Sequence, residues 1–184
     1  MAKAKKSKAG GKAKRTKRAA PKAAPKKVSA IPVGFHAVTP YLTMADGARA
    51  LEFYGKAFGA KVRMRMDAPG GRIGHAEIKI GDSVIMMSDE FPMPDGTKAP
   101  QSLGGSSGSL FLYVPNVDAS FKRAVDAGCR GVMPPTDMFW GDRFGRLIDP
   151  FGHHWGLATH KEDVSPAEMK KRSAAAMAQM GQPA

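Results

Sequence analysis

A histidine and a glutamate two residues apart are the side chains of this sequence best suited to proton transfer. His75 and Glu77 lie in the segment Arg72–Ile80, where polar and apolar residues alternate as in a β-strand. Successive strand residues point to opposite faces, so His75, Glu77 and Lys79 share one face. A carboxylate oriented by a neighbouring imidazole is a suitable general base. The sequence therefore predicts Glu77 as a catalytic base with His75 as its partner, and an ordinary polar pair on a strand is the alternative.

An aromatic residue and an arginine form a second candidate set. Trp140 and Arg143 follow Pro134-Pro135 in a predicted loop. A ring and a guanidinium at this position would cover a ligand and bind an anionic oxygen. The alternative is a structural anchor, in which Trp140 packs and Arg143 pairs with Asp142 or Asp149.

The elements that carry these residues follow from the periodicity of the chain. Asp46 is a natural N-cap, an apolar stripe at i, i+3 and i+7 predicts the helix after it, and Gly59 ends that helix. A strand precedes this helix, and three strands follow it, the last two joined by a Gly81-Asp82 turn. The predicted strands are Phe35–Met44, Lys61–Met66, Arg72–Ile80 and Ser83–Ser88.

The same order recurs after residues 90–107, a linker rich in Pro and Gly. Asn116 or Asp118 caps the second helix and Gly128 ends it. Equivalent glycines lie 71 residues apart in the two halves, Gly74 with Gly145 and Gly81 with Gly152. The predicted strands are Ser109–Val114, Arg130–Met133, Arg143–Asp149 and His153–Thr159. A repeat at this period indicates two copies of one β-α-β-β-β unit, paired about a pseudo-twofold axis.

The positive charge of the chain is concentrated at its N-terminus. The 184 residues carry a formal net charge of +13, and residues 3–27 hold 12 of the 29 basic residues and no acid. Subtracting these 12 leaves 17 basic against 16 acidic residues in 28–184. Residues 1–30 are therefore predicted to be a disordered tail of Lys, Ala and Pro. Residues 3–27 would bind nucleic acid weakly and without sequence preference, or have no dedicated partner.

Several classes of protein are excluded or disfavoured by composition. The sequence has no apolar run long enough for a membrane span and no secretory signal, so we expect a cytoplasmic protein, with the tail allowing association with the nucleoid. The single cysteine, Cys129, suits a reducing compartment and is expected to be a packed, inert thiol. Residues 161–184 are predicted to form a C-terminal helix, starting at a Ser165 capping box and ending near Met177, and a tail.

The motifs of residues 35–172 resemble the vicinal-oxygen-chelate superfamily, which includes glyoxalase I, bleomycin resistance proteins and extradiol dioxygenases, and in particular its PhnB-like branch. The resemblance rests on the following runs: His36–Leu42, Glu52–Tyr54 with Ala57–Ala60, His75–Ile78 with Gly81–Ser83, Phe139–Gly145, Asp149–His153 and Leu157–His160. It implies an α+β fold of two β-α-β-β-β modules, 35–89 and 108–160, within a domain over 31–160. The modules would form a curved mixed sheet with helices on the outer face and a ligand cup on the inner face.

The metal site typical of this superfamily is not expected here. Its ligands lie on the first and last strand of each module, and the matching positions are Thr39, Ile85, Ser109 and Gly156. None of these is a His or a carboxylate, which a divalent cation needs. We therefore expect no metal and no other cofactor; a site built from His36, His75 and Glu77 is the alternative.

The resemblance and the period of two together assign further residues to the cup. His75 and Glu77 are expected to face into it, and so are His154 and His160 on the last strand. The predicted ligand-binding residues are Tyr41, Phe111, Tyr113, Trp140, Arg143 and His154.

Two functions follow from this reading. The first is a homodimeric protein that binds a small molecule in the cup and, if it is an enzyme, catalyses metal-independent proton transfer or a lyase reaction. The second is a non-enzymatic, drug-sequestering protein of the bleomycin-resistance type.

Overall fold

The computed structural model describes residue 1, residues 28–94 and residues 96–180. Its contacts divide the chain into two units, Met1–Ala30 and Ile31–Ala184. The predicted disordered tail falls almost entirely outside the described residues.

The first module has the predicted order of elements. Its helix α1 is capped by Asp46, whose side chain accepts a hydrogen bond from the Arg49 amide at 3.0 Å, and it ends at Gly59, which has a left-handed φ of 69°. The elements are β1 (Tyr41–Met44), α1 (Gly47–Phe58), β2 (Lys61–Ala68), β3 (Arg72–Ile80) and β4 (Ser83–Asp89). A 3-10 turn, Pro69–Gly71, joins β2 to β3.

The second module repeats this order after a linker that contains a short helix, α2 (Pro100–Leu103). Asn116 caps α3 by accepting a hydrogen bond from the Ala119 amide at 3.0 Å. The elements are β5 (Ser109–Tyr113), α3 (Val117–Ala127), β6 (Arg130–Asp137), β7 (Asp142–Ile148) and β8 (His154–His160). A last helix, α4 (Pro166–Met180), follows. No described helix is long and apolar enough to cross a membrane.

The strands form two four-stranded mixed sheets with the same topology. Their orders are β1-β4-β3-β2 and β5-β8-β7-β6. In each sheet the first strand runs parallel to the last, and the other neighbours are antiparallel. The curved sheet expected from the resemblance is thus built as two separately hydrogen-bonded halves, and each half corresponds to one module.

One face of each sheet packs on the helices and the other is free of them. Ala76, Ile78 and Ile80 of β3 and Leu147 of β7 belong to a single buried core, together with α1 side chains. The alternate residues of these strands point the other way. We call the side of each sheet that faces away from α1 and α3 its open face.

The first predicted strand was too long. The strand covers only Tyr41–Met44, whereas residues 35–39 lie outside any strand and include a bend at 37–38. Pro40 has no amide hydrogen to donate to a ladder, and the Thr39 hydroxyl donates to the His36 carbonyl at 3.0 Å. The segment before Pro40 therefore turns back on itself instead of pairing with β4.

A buried carboxylate joins the two modules. Asp149 accepts hydrogen bonds from the Tyr54 hydroxyl of α1 at 2.8 Å and from the Trp155 indole at 2.9 Å. Its other oxygen accepts from the amides of Phe151 and His153, both at 2.9 Å. Burial, and then the charge of Asp149, raise the pKa of Tyr54 well above its usual value, so this hydroxyl stays a donor.

Candidate functional site

The open face of module one carries a chain of polar side chains. Arg63 of β2 lies 3.7 Å from one oxygen of Glu77, and His75 lies 3.8 Å from the other. The Tyr41 hydroxyl lies 3.3 Å from Nδ1 of His75. The structure thus brings together three predicted site residues, Tyr41, His75 and Glu77, and adds Arg63.

The Glu77 side chain is mostly buried and has cationic or polar neighbours. Its side chain is 13% exposed, against 23% for His75 and 31% for Arg63. Both ion-pair distances exceed a hydrogen-bond length, so neither contact fixes an oxygen of the carboxylate in one geometry. Arg63 is itself positioned by Phe35, whose ring centroid lies 4.8 Å from the guanidinium carbon. The arrangement suits a base that has an anion-binding group beside it.

The open face of module two is aromatic. The rings of Phe111 and Phe144 stack with centroids 5.3 Å apart and planes within 3° of parallel. Tyr113 lies 5.1 Å from Phe111, and Trp140 lies 5.9 Å from Phe144 in an edge-on arrangement. We call Phe111, Tyr113, Trp140 and Phe144 the aromatic wall. Such an array offers stacking surface to a planar ligand.

A buried aspartate lies behind this wall. Asp142 is 4% exposed, and its Oδ2 accepts hydrogen bonds from the Tyr113 hydroxyl at 3.0 Å and the Trp140 indole at 3.1 Å. Its Oδ1 lies 2.8 Å from Nδ1 of His160, whose Nε2 lies 3.0 Å from Asp163. The hydrogen bonds to Asp142 and then Asp163 raise the pKa of His160. Asp142 therefore fixes the orientation of two rings of the wall and of one imidazole.

The structure corrects the placement of Arg143. In the β7–β8 ladder it pairs with Thr159, on the face that carries Leu147 and the α3 contacts, and not on the open face. Its guanidinium bonds both oxygens of Asp118 at 2.8 Å and lies 3.2 Å from Asp137. These carboxylates raise the pKa of Arg143 further. The predicted pairing with Trp140 over a ligand is therefore wrong, and so is the alternative partner, Asp142 or Asp149.

His154 does lie on the open face, but far from the aromatic cluster around Trp140. It is half-buried and pairs in register with Ser109 and Ile148, at the opposite end of β8 from His160. At roughly 3.3 Å per residue the two histidines are about 20 Å apart along the strand. The structure does not bring His154 together with Trp140.

Two cavities lie where β1 approaches β5. One, of about 380 Å³, is lined by Tyr41, the linker after Gly96 and His153. The other, of about 400 Å³, is lined by Val84, Phe111 and Trp155 among other apolar residues. Neither cavity is lined by Glu77 or Trp140, but the second reaches Phe111 of module two and Val84 of module one.

The superfamily's metal ligands are not matched by fitting residues in this structure. A side chain at Gly156 would place its Cβ 2.7 Å from the Phe144 ring and 3.0 Å from Phe111, so the stack fills that position. Ile85 is a core residue, and the Thr39 hydroxyl is used by His36. Within residues 28–94 and 96–180, no three His, Cys, Asp or Glu side chains are grouped to hold a metal ion. The alternative set of His36, His75 and Glu77 is thus not assembled.

Cys129 has the environment of a packing residue. It is 5% exposed and forms part of the core. Burial, and then the charge of Asp149, raise the pKa of its thiol to about 12. A thiol of this kind is not a nucleophile at neutral pH.

The fold and these faces define the class of the protein. Two modules of identical topology, with helices on one side of each sheet, form the glyoxalase fold. A family model described as the Glyoxalase/Bleomycin resistance protein/Dioxygenase superfamily matches residues 34–157, and the chain belongs to this superfamily.

Individual relatives agree with this assignment. An uncharacterized Mycobacterium tuberculosis protein, Rv0887c, is 40% identical over 147 residues, which cover 79% of this chain and 84% of that protein. The crystal structure of TioX from a Micromonospora species has a TM-score of 0.54 at 28% identity, covering 66% of this chain and 96% of that chain. A Bacillus cereus PhnB protein has a TM-score of 0.51 at 22% identity, covering 67% and 99%, and shows the fold alone.

Sequence reasoning missed three residues of the two faces: Arg63, Asp142 and Phe144. The period of two placed His160 on the open face, but nothing in the sequence marked the buried carboxylate beside it. Asp142 lay outside the predicted strand, which began one residue late, and Phe144 lay inside that strand without an assigned face. Arg63 lies next to a register shift in β2, and a shift of this kind breaks the alternation that such reasoning needs.

Proposed function

We propose that this chain binds a small molecule on the open faces of its sheets and, as an enzyme, moves a proton on it without a metal, with Glu77 as the base. The observation that supports this proposal is the position of Glu77 between Arg63 and His75 on the open face of module one. A substrate C–H or O–H group would transfer its proton to the carboxylate. The electron pair left behind would be delocalised onto a neighbouring substrate oxygen.

Arg63 takes the role that the sequence suggested for Arg143. Its guanidinium is on the same surface as Glu77, whereas that of Arg143 is held by Asp118 and Asp137 on the other side of its sheet. A guanidinium next to the base would stabilise the anionic oxygen formed by proton removal. Proton-transfer and lyase reactions both begin with this step.

The experiment is hydrogen exchange into small carbonyl compounds, followed by NMR in D₂O with a chelator present. Full-length protein is expected to accelerate loss of the C–H signal, and Glu77→Gln is expected to remove that acceleration. Glu52→Gln, the same change at an exposed position of α1, is the matched control. Exchange that is unchanged in Glu77→Gln would exclude Glu77 from the mechanism.

A non-enzymatic sequestering protein is the second candidate, and the aromatic wall favours it. Phe111 and Tyr113 are 51% and 61% exposed, which leaves apolar surface ready for a planar compound. Recovery of a bound compound chemically unchanged after long incubation supports sequestration over catalysis.

A homodimer belongs to the same proposal. Members of the superfamily often dimerise, and the open faces leave large apolar side chains uncovered, including Tyr41 at 48% and Met66 at 57% exposed. A second copy would cover part of this surface. Light scattering on the full chain tests this, and a monomer at all concentrations would contradict it.

The basic tail supports a separate proposal, weak tethering of a cytoplasmic protein to nucleic acid. It rests on charge alone, because residues 3–27 carry 12 basic residues and no acid. Such binding falls steeply with salt, since each phosphate contact releases counterions. Retention on DNA of the full chain and of residues 28–184, compared at low and moderate salt, tests it; equal retention would contradict it.

A further inference from the structure

The Asp142–His160 pair lies outside the proposed catalytic set, and its geometry is tighter. The Nδ1–Oδ1 distance is 2.8 Å, whereas His75 lies 3.8 Å from Glu77. Asp142 is almost completely buried, while the His160 side chain is 52% exposed. One nitrogen of the imidazole is therefore fixed from inside the protein, and the other faces the exposed carboxylate of Asp163.

We propose that His160, oriented by Asp142, accepts a hydrogen bond from a hydroxyl or N–H group of a planar aromatic ligand that stacks on the aromatic wall. This inference rests on the proposed function, since it assumes that the open face of module two binds a small molecule. It adds the chemical class of the ligand and a recognition residue for it.

The hydrogen bonds of Asp142 decide which nitrogen of His160 is free. Tyr113 and Trp140 both donate to Oδ2, and each donor is neutral. The Oδ1 atom of the buried carboxylate therefore retains the imidazole proton on Nδ1 when His160 is neutral. This leaves the lone pair on Nε2.

The present partner of Nε2 is easily displaced. Asp163 lies 3.0 Å away, but its side chain is fully exposed, and exposed ion pairs contribute little to stability. In neutral His160 the Nε2 lone pair repels this carboxylate instead of binding it. A ligand hydroxyl can then take its position.

The same atoms connect His160 to the wall. Tyr113 and Trp140 share the Asp142 carboxylate with His160, so the imidazole is held next to two rings of the aromatic wall. A ligand with its ring on Phe111 or Phe144 and a polar hydrogen at its edge matches this arrangement. The ligand class is thus a phenol or an aromatic N–H compound.

The proposed hydrogen bond to His160 depends on pH. Among the described residues, the charged groups that face His160 are Asp142 from β7 and Asp163 from the segment after β8. Below its pKa the imidazolium has no acceptor nitrogen. The preference for a hydroxyl therefore appears as the pH rises through the titration of His160, which these two carboxylates place above its usual range.

The experiment compares two probes, 2-naphthol and 2-methoxynaphthalene, by equilibrium dialysis against the full-length protein. They share the ring system, but only the first donates a hydrogen bond. The titration of His160 is located first from its ring-proton NMR signal, and the dissociation constants are then measured below and above it. Above it, we expect 2-naphthol to bind roughly three- to tenfold more tightly, as one hydrogen bond would give. Below it, the preference disappears.

Variants separate this role from a structural one. His160→Leu is expected to bind both probes with equal affinity at either pH. Asp163→Asn is expected to keep the preference and to lower the pH at which it appears, because one of the carboxylates that raise the pKa of His160 is gone. Asp126→Asn, which removes an exposed ion pair on α3, is the control and should behave as the wild type.

The two proposals fail in different ways. Equal binding of both probes to the wild type, or a preference that persists in His160→Leu, overturns the role of His160 and leaves ligand binding by the open face intact. No binding of either probe overturns both proposals for module two. A nitrogen NMR spectrum that places the proton of neutral His160 on Nε2 overturns the role of His160 independently of any ligand.

Discussion

The two modules share one topology and differ in the chemistry of their open faces. Module one presents Arg63, His75 and Glu77, whose side chains are only partly exposed. Module two presents four aromatic rings in contact, of which Phe111 and Phe144 are stacked, and the buried carboxylate of Asp142. The helix-facing sides of both sheets, in contrast, belong to one continuous apolar core.

This contrast shows which parts of a repeat are free to diverge. Residues that face the core must match the volume of their neighbours, so the repeated pattern persists there. The open faces carry no such constraint, and each has acquired its own set of side chains. The residues that we propose to bind a ligand accordingly lie on the open faces, where the two modules differ.

The largest expected effect tests the contact that makes the two modules one unit. Asp149→Asn replaces a carboxylate oxygen that accepts from Tyr54 and Trp155 by a group with hydrogens of its own. At least one buried donor then loses its acceptor, and we expect a loss of about 2–4 kcal/mol in the free energy of unfolding. Chemical denaturation measures this. An effect as small as that of Asp126→Asn, on the surface of α3, would contradict the proposed bridging role.

The repeat and one face of the candidate site could be predicted from the sequence alone. The 71-residue spacing of Gly74 and Gly145 predicted the repeat, and the period of two in β3 placed His75 and Glu77 together on one face. Both patterns are local, because they follow from spacing along the chain and from the geometry of a single strand. The superfamily motifs then fixed how the two copies fold.

The rest of the candidate site depends on contacts between distant residues. Arg143 was expected to contact the ligand because a guanidinium binds anionic oxygens and because Trp140 lies close to it in the sequence. A carboxylate 25 positions away, Asp118, holds it on the other face. Likewise, Asp142 becomes a central residue only when β5 and β8 bring Tyr113 and His160 to it. No pattern within one element specifies such a partner.

The next effect concerns the aromatic wall alone. A methyl group at Gly156 would lie 2.7 Å from the Phe144 ring and 3.0 Å from the Phe111 ring, both of which are part of the stack. Gly156→Ala is therefore expected to lower the free energy of unfolding by about 1–3 kcal/mol and to weaken binding of 2-methoxynaphthalene. Gly105→Ala, where a Cβ meets nothing within 4 Å, is the matched control. Unchanged stability and binding in Gly156→Ala would mean that the stack does not define this face.

A smaller effect is the difference in stability loss between variants of the two open-face carboxylates, Asp142 and Glu77. Asp142→Asn disturbs a buried acceptor of three side-chain donors, and we expect a loss of about 1–3 kcal/mol in the free energy of unfolding. Glu77→Gln disturbs two ionic contacts that are longer than a hydrogen bond, and we expect a smaller loss than for Asp142→Asn. Denaturation of both variants at neutral pH measures the difference. If Glu77→Gln were the more destabilising variant, Glu77 would be a structural residue and its proposed role as a free base would fail.

The smallest effect is a pH dependence that arises from His160 of module two. The pKa of His160 is raised above its usual value in the folded chain by Asp142 and then Asp163, so the folded state binds this proton more tightly than the unfolded state. The resulting stabilisation is complete below the unfolded pKa and is lost as the pH rises through the folded pKa. The wild type should therefore lose stability relative to His160→Leu over that window, and only slightly, because the imidazole is half exposed to solvent. Denaturation curves of both proteins across the window measure this difference. If the wild type instead gained stability relative to His160→Leu as the pH rises, His160 would be held as the neutral form.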